Sequence, residues 1–183
     1  MFNRYDAWVR SFLLDRERDR EFFSYIDDLY DSEEFQSMHQ YIQHGEIDRV
    51  QHIMSVTYLS YLGAKERGAD VRQTLRGAIL HDLFYYDWHV AGDGTHRLHG
   101  YRHPGFALKN AKRLNPDITE IEQNVIKRHM WPLTPTPPKY KEGLIVSMAD
   151  KYCAAQEVLI DRFASQKAKF REALAKEKKE LGI

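Results

Sequence analysis

Apolar side chains recur at helical spacing along most of the chain, and no stretch shows the sustained apolar and polar alternation of a half-buried strand. We therefore predict an all-α fold, a single-domain helical bundle with additional N- and C-terminal helices. The predicted helices span residues 4–15, 19–29, 32–42, 47–67, 71–83, 104–114, 118–130, 142–160 and 162–179.

Glycine and proline interrupt this pattern at three places. Gly68 ends the fourth predicted helix, residues 87–105 (DWHVAGDGTHRLHGYRHPG) are rich in glycine and histidine, and residues 131–143 (WPLTPTPPKYKEG) contain four prolines. Within one compact domain we distinguish an N-terminal helical cap at 1–43, a central region at 44–160 and a charged C-terminal helix at 161–183.

The C-terminal helix carries a thin apolar stripe of Phe163, Phe170 and Leu174 on an otherwise charged surface. Interspersed glutamates argue against nucleic-acid contact, so we expect a solvated helix packed through this stripe. The same stripe could serve a homodimer.

Composition narrows the possible partners. The 183 residues contain 27 Lys plus Arg and 27 Asp plus Glu, which excludes the overall basic field of a dedicated nucleic-acid binder and favours a small-molecule partner. No apolar run approaches the roughly 20 residues that span a bilayer, and the charged N-terminus lacks a secretory cleavage signal. We expect a cytoplasmic protein without membrane contact. The single cysteine, Cys153, cannot form an internal disulfide or a thiolate metal site, so a metal would need nitrogen and oxygen ligands.

Several ionisable side chains fall on the apolar faces of the predicted helices. His52, for example, shares a face with Val56 and Leu59. Taken singly, such a histidine is more often a hydrogen-bonded core residue, but a buried aspartate is costly unless it is paired or bound to metal. The set on these faces comprises His52, His81, Asp82, His129 and Asp150.

Three motifs occur in a characteristic order. HGEIDRVQHIMSV contains His52, GAILHDLFYYDW contains the doublet His81-Asp82, and LIVSMADKYCAAQE contains Asp150. This order resembles the HD superfamily of metal-dependent phosphohydrolases over residues 44–160. His103 in GYRHPGFAL and His129 in VIKRHMWPL lie between the doublet and the last aspartate, which resembles the subset with two metals.

The resemblance implies a metal-binding catalytic domain at 44–160 and a role for each matching residue. His52, His81, Asp82 and Asp150 would bind one metal, His103 and His129 the second, and Asp82 would bridge the two, with His81 and Asp82 central to catalysis. This mixture of imidazole and carboxylate suits two divalent transition-metal ions, Fe, Mn, Zn, Co or Ni, rather than calcium. Each imidazole also needs an acceptor for its second nitrogen, which the sequence does not identify.

The resemblance further implies hydrolysis of a phosphate ester, of a nucleotide or another small phosphorylated metabolite, by a metal-activated hydroxide. His99 and His96 are candidates for an acid or an alternative ligand, although loop histidines and charged helix residues are often only surface groups. The candidates for holding the substrate are Lys151, Arg128, Arg102 and His99.

Two other interpretations stay open, and one branch of the superfamily is disfavoured. A dinuclear iron oxygenase shares the six-ligand pattern but would consume oxygen, whereas a non-catalytic metal-containing binding module would retain its metal without turnover. The cyclic-dinucleotide phosphodiesterase branch resembles an HD doublet followed three residues later by lysine, with a downstream Gly-Tyr-Pro. Here Tyr85 occupies the lysine position and Arg102 follows Gly100-Tyr101.

Overall fold

The computed structural model describes residues 2–90 and 98–183, and within them it is helical apart from one small hairpin. The prediction of an all-α fold is confirmed. The helices are α1 Arg4–Arg10, α2 Arg20–Phe23, α3 Asp27–Tyr30, α4 Glu33–Gln36, α5 Arg49–Arg67, α6 Val71–Ile79, α7 His99–Leu114, α8 Glu120–Arg128, α9 Lys141–Arg162 and α10 Ala164–Leu181; the strands are β1 Ile42–His44 and β2 Ile47–Asp48.

The long helices begin and end where local chemistry directs them. The Asp48 carboxylate accepts a hydrogen bond from the Gln51 backbone N–H at the start of α5, and Gly68 closes that helix in the left-handed conformation with a φ of 58°. A reciprocal capping box between Thr119 and Glu122 starts α8. These signals are local, which is why the sequence pattern places both helices well.

Four helices, α5, α6, α8 and α9, pack against one another and form the centre of the fold. Ile53 of α5, Leu75 of α6 and Ile126 of α8 are all fully buried in this core. Gly77 allows α6 to approach α8 closely, since a Cβ at this position would lie 2.7 Å from the Cβ of Val125. Polar groups that these four helices direct inward are thus removed from water.

The two ends of the described chain pack together on one side of this core. The Trp8 ring lies 5.3 Å from Phe12 and 5.0 Å from Phe170 of α10 between ring centroids. Phe170 and Leu174 contact the core as the sequence predicts, whereas Phe163 is 52% exposed because it sits at the break between α9 and α10. None of the described helices is long and apolar enough to cross a membrane.

The N-terminal third differs from the predicted long helices. Residues 19–29 form two single turns, α2 and α3, and residues 32–42 form α4 followed by a 3₁₀ turn at Ser37–Gln40. The chain then enters the β1–β2 hairpin, whose turn contains Gly45 with a φ of 59°. A side chain at Gly45 would meet Asp161 at 2.6 Å, so this turn packs closely against the end of α9.

Two further boundaries were wrong, and both lie near the inward polar residues. Helix α6 ends at Ile79 rather than at residue 83, so His81 and Asp82 lie in a turn; the Leu83 carbonyl there accepts from the Asn110 side chain instead of continuing a helix. Helix α7 begins at His99 and contains Pro104 in its interior, whereas the sequence suggested that this proline starts the helix.

Candidate metal centre

All six residues of the predicted ligand set converge at the middle of the four-helix core. They come from the first turn of α5, the turn after α6, helix α7, the residue that ends α8, and the middle of α9. Each is at most 6% exposed. They are His52, His81, Asp82, His103, His129 and Asp150.

The Asp82 carboxylate lies between two pairs of histidines. Its Oδ2 is 4.0 Å from His52 Nε2 and 3.6 Å from His81 Nε2. Its Oδ1 is 3.1 Å from His103 Nε2 and 3.6 Å from His129 Nε2. Each oxygen of one carboxylate therefore faces its own pair of imidazole nitrogens.

Asp150 adds a second carboxylate to one side only. Its Oδ1 lies 3.3 Å from His52 Nε2 and 3.9 Å from His81 Nε2. The side formed by His52, His81, Asp82 and Asp150 thus has four potential ligands, whereas the side formed by Asp82, His103 and His129 has three.

Every one of the four imidazoles has its Nδ1 atom beside a fixed acceptor. In three of them this acceptor is a backbone carbonyl of the same turn: Ala78 for His81 at 2.6 Å, His99 for His103 at 3.0 Å and Ile126 for His129 at 2.8 Å. We assign the ring hydrogen to Nδ1 in each, since a carbonyl oxygen can only accept. The Nε2 lone pair is then left to point at the carboxylates, which is the form that binds a metal.

Glu157 is the acceptor for the fourth ring, and it is not among the residues predicted from the sequence. Both of its carboxylate oxygens contact His52 Nδ1, at 3.0 and 2.8 Å, and its side chain is fully buried. Glu157 lies seven residues after Asp150, which places both on one face of α9. That spacing is the signal that could have identified it.

A second missed group contacts Asp82 itself. Gln43 of β1 donates from Nε2 to Asp82 Oδ2 at 2.9 Å, and Arg49 donates to Gln43 Oε1 at 3.0 Å. The sequence offered no signal for Gln43, because the β1–β2 hairpin was not predicted and residue 43 fell in the gap between the predicted helices 32–42 and 47–67.

The electrostatics of the centre follow from burial and these short contacts. Burial alone would lower the pKa of His52, but Glu157 and Asp150 outweigh it and raise that pKa well above its usual value. Burial would raise the pKa of Asp82, yet the neighbouring histidines, His81 foremost, hold it well below its usual range. Burial lowers the pKa of His129, and His103 lowers it further. Burial would also raise the pKa of Asp150, but Lys151 and the neighbouring histidines outweigh it and lower that pKa. Both aspartates of the centre are therefore ionised at neutral pH.

The donor set fits a metal. His52 Nε2, His81 Nε2 and Asp82 Oδ1 are buried and have no hydrogen-bond partner among the described residues. His103 Nε2 and His129 Nε2 lie only 2.7 Å apart, and since both rings direct Nδ1–H to a carbonyl, two lone pairs face each other. Such groups are costly in a protein interior unless a cation satisfies them. Three groups of side chains among the described residues could each hold a metal ion. Two belong to the predicted ligand set, His52 with His81 and Asp82, and Asp82 with His103 and His129; the third consists of His44, His52 and Glu157.

Of the residues predicted to hold substrate, Lys151 and His99 lie next to members of the ligand set. Lys151 donates to Asp150 Oδ2 at 2.6 Å and to the His129 carbonyl at 3.1 Å, so it borders the centre. The His99 ring stacks on His103 at 4.5 Å and contacts the Tyr86 hydroxyl at 3.0 Å.

The other candidates lie on the surface of α7, at the end of α8, or outside the described residues. Arg102 is exposed on α7 with its guanidinium 5.5 Å from the Phe106 ring centroid, and Arg128 is the half-buried last residue of α8. His96 lies outside the described residues.

The family model of the HD domain matches residues 49–155, more than half of the chain. This chain therefore belongs to the HD domain family, a superfamily of metal-dependent hydrolases. The resemblance stated from the three motifs is confirmed. No curated protein and no solved structure shows a significant match.

Proposed function

We propose that this chain is a phosphohydrolase that uses two divalent transition-metal ions to hydrolyse a nucleotide or another small phosphate ester. The observation that carries this proposal is the position of Asp82, whose two oxygens face two separate histidine pairs at 3.1 to 4.0 Å. A carboxylate placed in this way suits a bridge between two cations.

His52, His81, Asp82 and Asp150 would hold one metal, and Asp82, His103 and His129 would hold the other. The second group offers one protein ligand fewer, which leaves more room for water or substrate at that position. When bound, two such metals supply Lewis-acid polarisation of a phosphoryl oxygen and a bound water with a pKa near neutrality.

The chain's own residues supply orientation and charge. Glu157 and the three backbone carbonyls keep the imidazole rings turned with Nε2 inward, so little reorganisation accompanies ligation. Lys151 places an ammonium group beside Asp150 at the border of the centre, where it could meet a phosphate oxygen. Its side chain is 34% exposed, and so it is reachable from solvent.

The test uses the chain stripped of metal and reloaded separately with Mn²⁺, Fe²⁺, Co²⁺, Ni²⁺ or Zn²⁺. Each sample is incubated with a panel of nucleotides and small phosphate esters, with and without oxygen, and phosphate release or ester cleavage is measured. We expect oxygen-independent hydrolysis with at least one metal. Turnover that requires both iron and oxygen would identify an oxygenase instead, and tight metal retention without turnover would identify a non-catalytic module.

Asp82→Ala is the decisive variant, and Asp87→Ala is its matched control. Asp87 is five residues further along the chain, partly exposed, and hydrogen-bonded to His89 rather than to the centre. We expect Asp82→Ala to lose activity and metal while keeping its helical circular dichroism, and Asp87→Ala to keep both. Full activity in Asp82→Ala would refute the proposed centre.

A further inference from the structure

Arg49 is a cation in the interior of the protein without a carboxylate in hydrogen-bond contact among the described residues. It is 0% exposed, and burial lowers its pKa to about 10, so it remains charged at neutral pH. Burying an ion is costly unless its hydrogen bonds are satisfied. The contacts of the Arg49 guanidinium must therefore offset the cost of burying its charge.

Neutral acceptors and aromatic rings satisfy the guanidinium. Its two terminal nitrogens donate to the carbonyls of Phe84 at 2.7 Å and Tyr86 at 3.1 Å. Its central carbon lies 3.7 Å from the Phe84 ring centroid and 4.7 Å from that of Tyr41. Both carbonyls belong to the irregular segment that directly follows Asp82, so Arg49 fixes the backbone next to this aspartate.

The remaining contact of Arg49 determines the orientation of the Gln43 amide. Arg49 Nε donates at 3.0 Å to the Gln43 side chain, and an arginine can only donate, so the amide oxygen must face it. The amide NH₂ then points the other way and donates to Asp82 Oδ2 at 2.9 Å. Gln43 is 5% exposed, which makes water a poor substitute for either bond.

This hydrogen bond makes the two oxygens of Asp82 unequal. Oδ2 shares its lone pairs with Gln43, whereas Oδ1 has no hydrogen-bond partner among the described residues. The carboxylate is thereby held in the rotation that divides its oxygens between the two histidine pairs. Without the hydrogen bond, rotation about the Cβ–Cγ bond would no longer be restrained from that side.

We infer that Arg49 and Gln43 are positioning residues for metal binding, with Arg49 orienting the Gln43 amide and Gln43 holding Asp82 in its bridging rotation. This inference rests on the proposed function, because it assigns to Asp82 the role of a metal bridge. It adds two residues outside the ligand set, one of them on a strand that precedes the matched HD region.

The test measures Co²⁺ binding rather than catalysis. Metal-free protein is titrated with Co²⁺ against a chelating indicator, and the visible absorption spectrum is recorded at saturation because its bands depend on ligand geometry. Gln43→Met keeps the size of the side chain but removes both hydrogen bonds. We expect it to weaken Co²⁺ binding by about 10- to 100-fold, the usual cost of losing a group that orients a ligand, and to alter the spectrum.

Arg49→Lys separates orientation from charge, since lysine keeps the cation but not the forked contacts. If orientation is what matters, Arg49→Lys weakens binding as Gln43→Met does. Gln36→Met is the matched control, because the partly buried Gln36 side chain likewise donates a hydrogen bond, to the Tyr30 carbonyl at 2.7 Å, but in the N-terminal cap. It should leave Co²⁺ affinity and spectrum unchanged.

The outcomes separate this inference from the proposed function. A wild-type chain that binds no divalent metal would overturn the proposed function. A wild-type chain that binds Co²⁺, with Gln43→Met within twofold in affinity and identical in spectrum, would overturn only the positioning role. If Gln43→Met loses its helical circular dichroism, Arg49→Lys decides by the same measurements, and loss of the fold in both variants would show a structural role and overturn the inference.

Discussion

Replacing Glu157 with glutamine tests whether orientation of His52 controls the centre. In the wild-type chain both Glu157 oxygens contact His52 Nδ1, at 3.0 and 2.8 Å, in a fully buried position. Glu157→Gln keeps the size of the side chain, but it removes the negative charge and one of the two acceptors. The His52 ring then loses a charge-assisted hydrogen bond, and its Nε2 becomes a weaker donor to a metal.

We expect the affinity for the metal ion held on the His52 side of the centre to fall by about 10- to 100-fold, or about 1.4 to 2.7 kcal/mol. The effect should be smaller for the equivalent held by His103 and His129, since their Nδ1 atoms face other acceptors. Chelator competition with Zn²⁺ or Mn²⁺ at constant pH measures both equivalents. A thermal scan of the metal-free variant reports separately on stability.

Glu142→Gln provides the matched control on the same helix. Glu142 is 5% exposed and accepts from the Asp70 backbone N–H at 3.0 Å, and it has no hydrogen bond to a histidine within residues 2–90 and 98–183. We expect this variant to melt at a lower temperature but to bind metal like the wild type. Equal metal affinity in Glu157→Gln and Glu142→Gln would refute the orienting role of Glu157.

Three further predictions concern stability. Trp8→Ala should lower the free energy of unfolding by about 3 to 5 kcal/mol in chemical denaturation, because the fully buried ring packs α1 against Phe170 of α10. A loss below about 1 kcal/mol would contradict this packing. Gly77→Ala should lower the free energy of unfolding by about 1 to 3 kcal/mol, because the new Cβ would lie 2.7 Å from Val125. An unchanged melting temperature would show that α6 and α8 can move apart without loss of stability. The metal-free chain should lose stability on acidification below about pH 4, because both aspartates of the centre have lowered pKa values in the folded state and take up protons more readily when the chain is unfolded. Urea titrations at pH values from 7 to 3 measure this, and constant stability over that range would disprove it.

The sequence predicted more of the ligand set than of the structure that supports it. His52 and Asp150 stand on helices whose apolar faces continue for several turns, and α5 and α9 were predicted to within a few residues. The pattern failed where tertiary contacts override periodicity. Helix α6 stops at Ile79 although Leu83 continues its apolar stripe, and the turn that follows depends on Arg49, which is more than 30 positions away in the chain.

The residues that orient the ligands could not be predicted either, because their roles also depend on tertiary contacts. Glu157 and Gln43 are ordinary polar residues in the sequence, and their meaning comes from partners 105 and 39 positions away. Helix α7 shows the opposite problem, because Pro104 is a strong local signal for a helix start and yet lies in the helix interior. A pattern restricted to neighbouring residues cannot resolve either case.

The different acceptors of the four imidazoles have a consequence for the order in which the centre forms during folding. His81, His103 and His129 are oriented by carbonyls three or four residues earlier in the chain, so each ring takes its final direction as soon as its own turn closes. His52 is oriented only when α5 has met α9. The rings of His81, His103 and His129 are thus directed before their helices meet, whereas the His52 ring acquires its direction only once the helices of the core have come together.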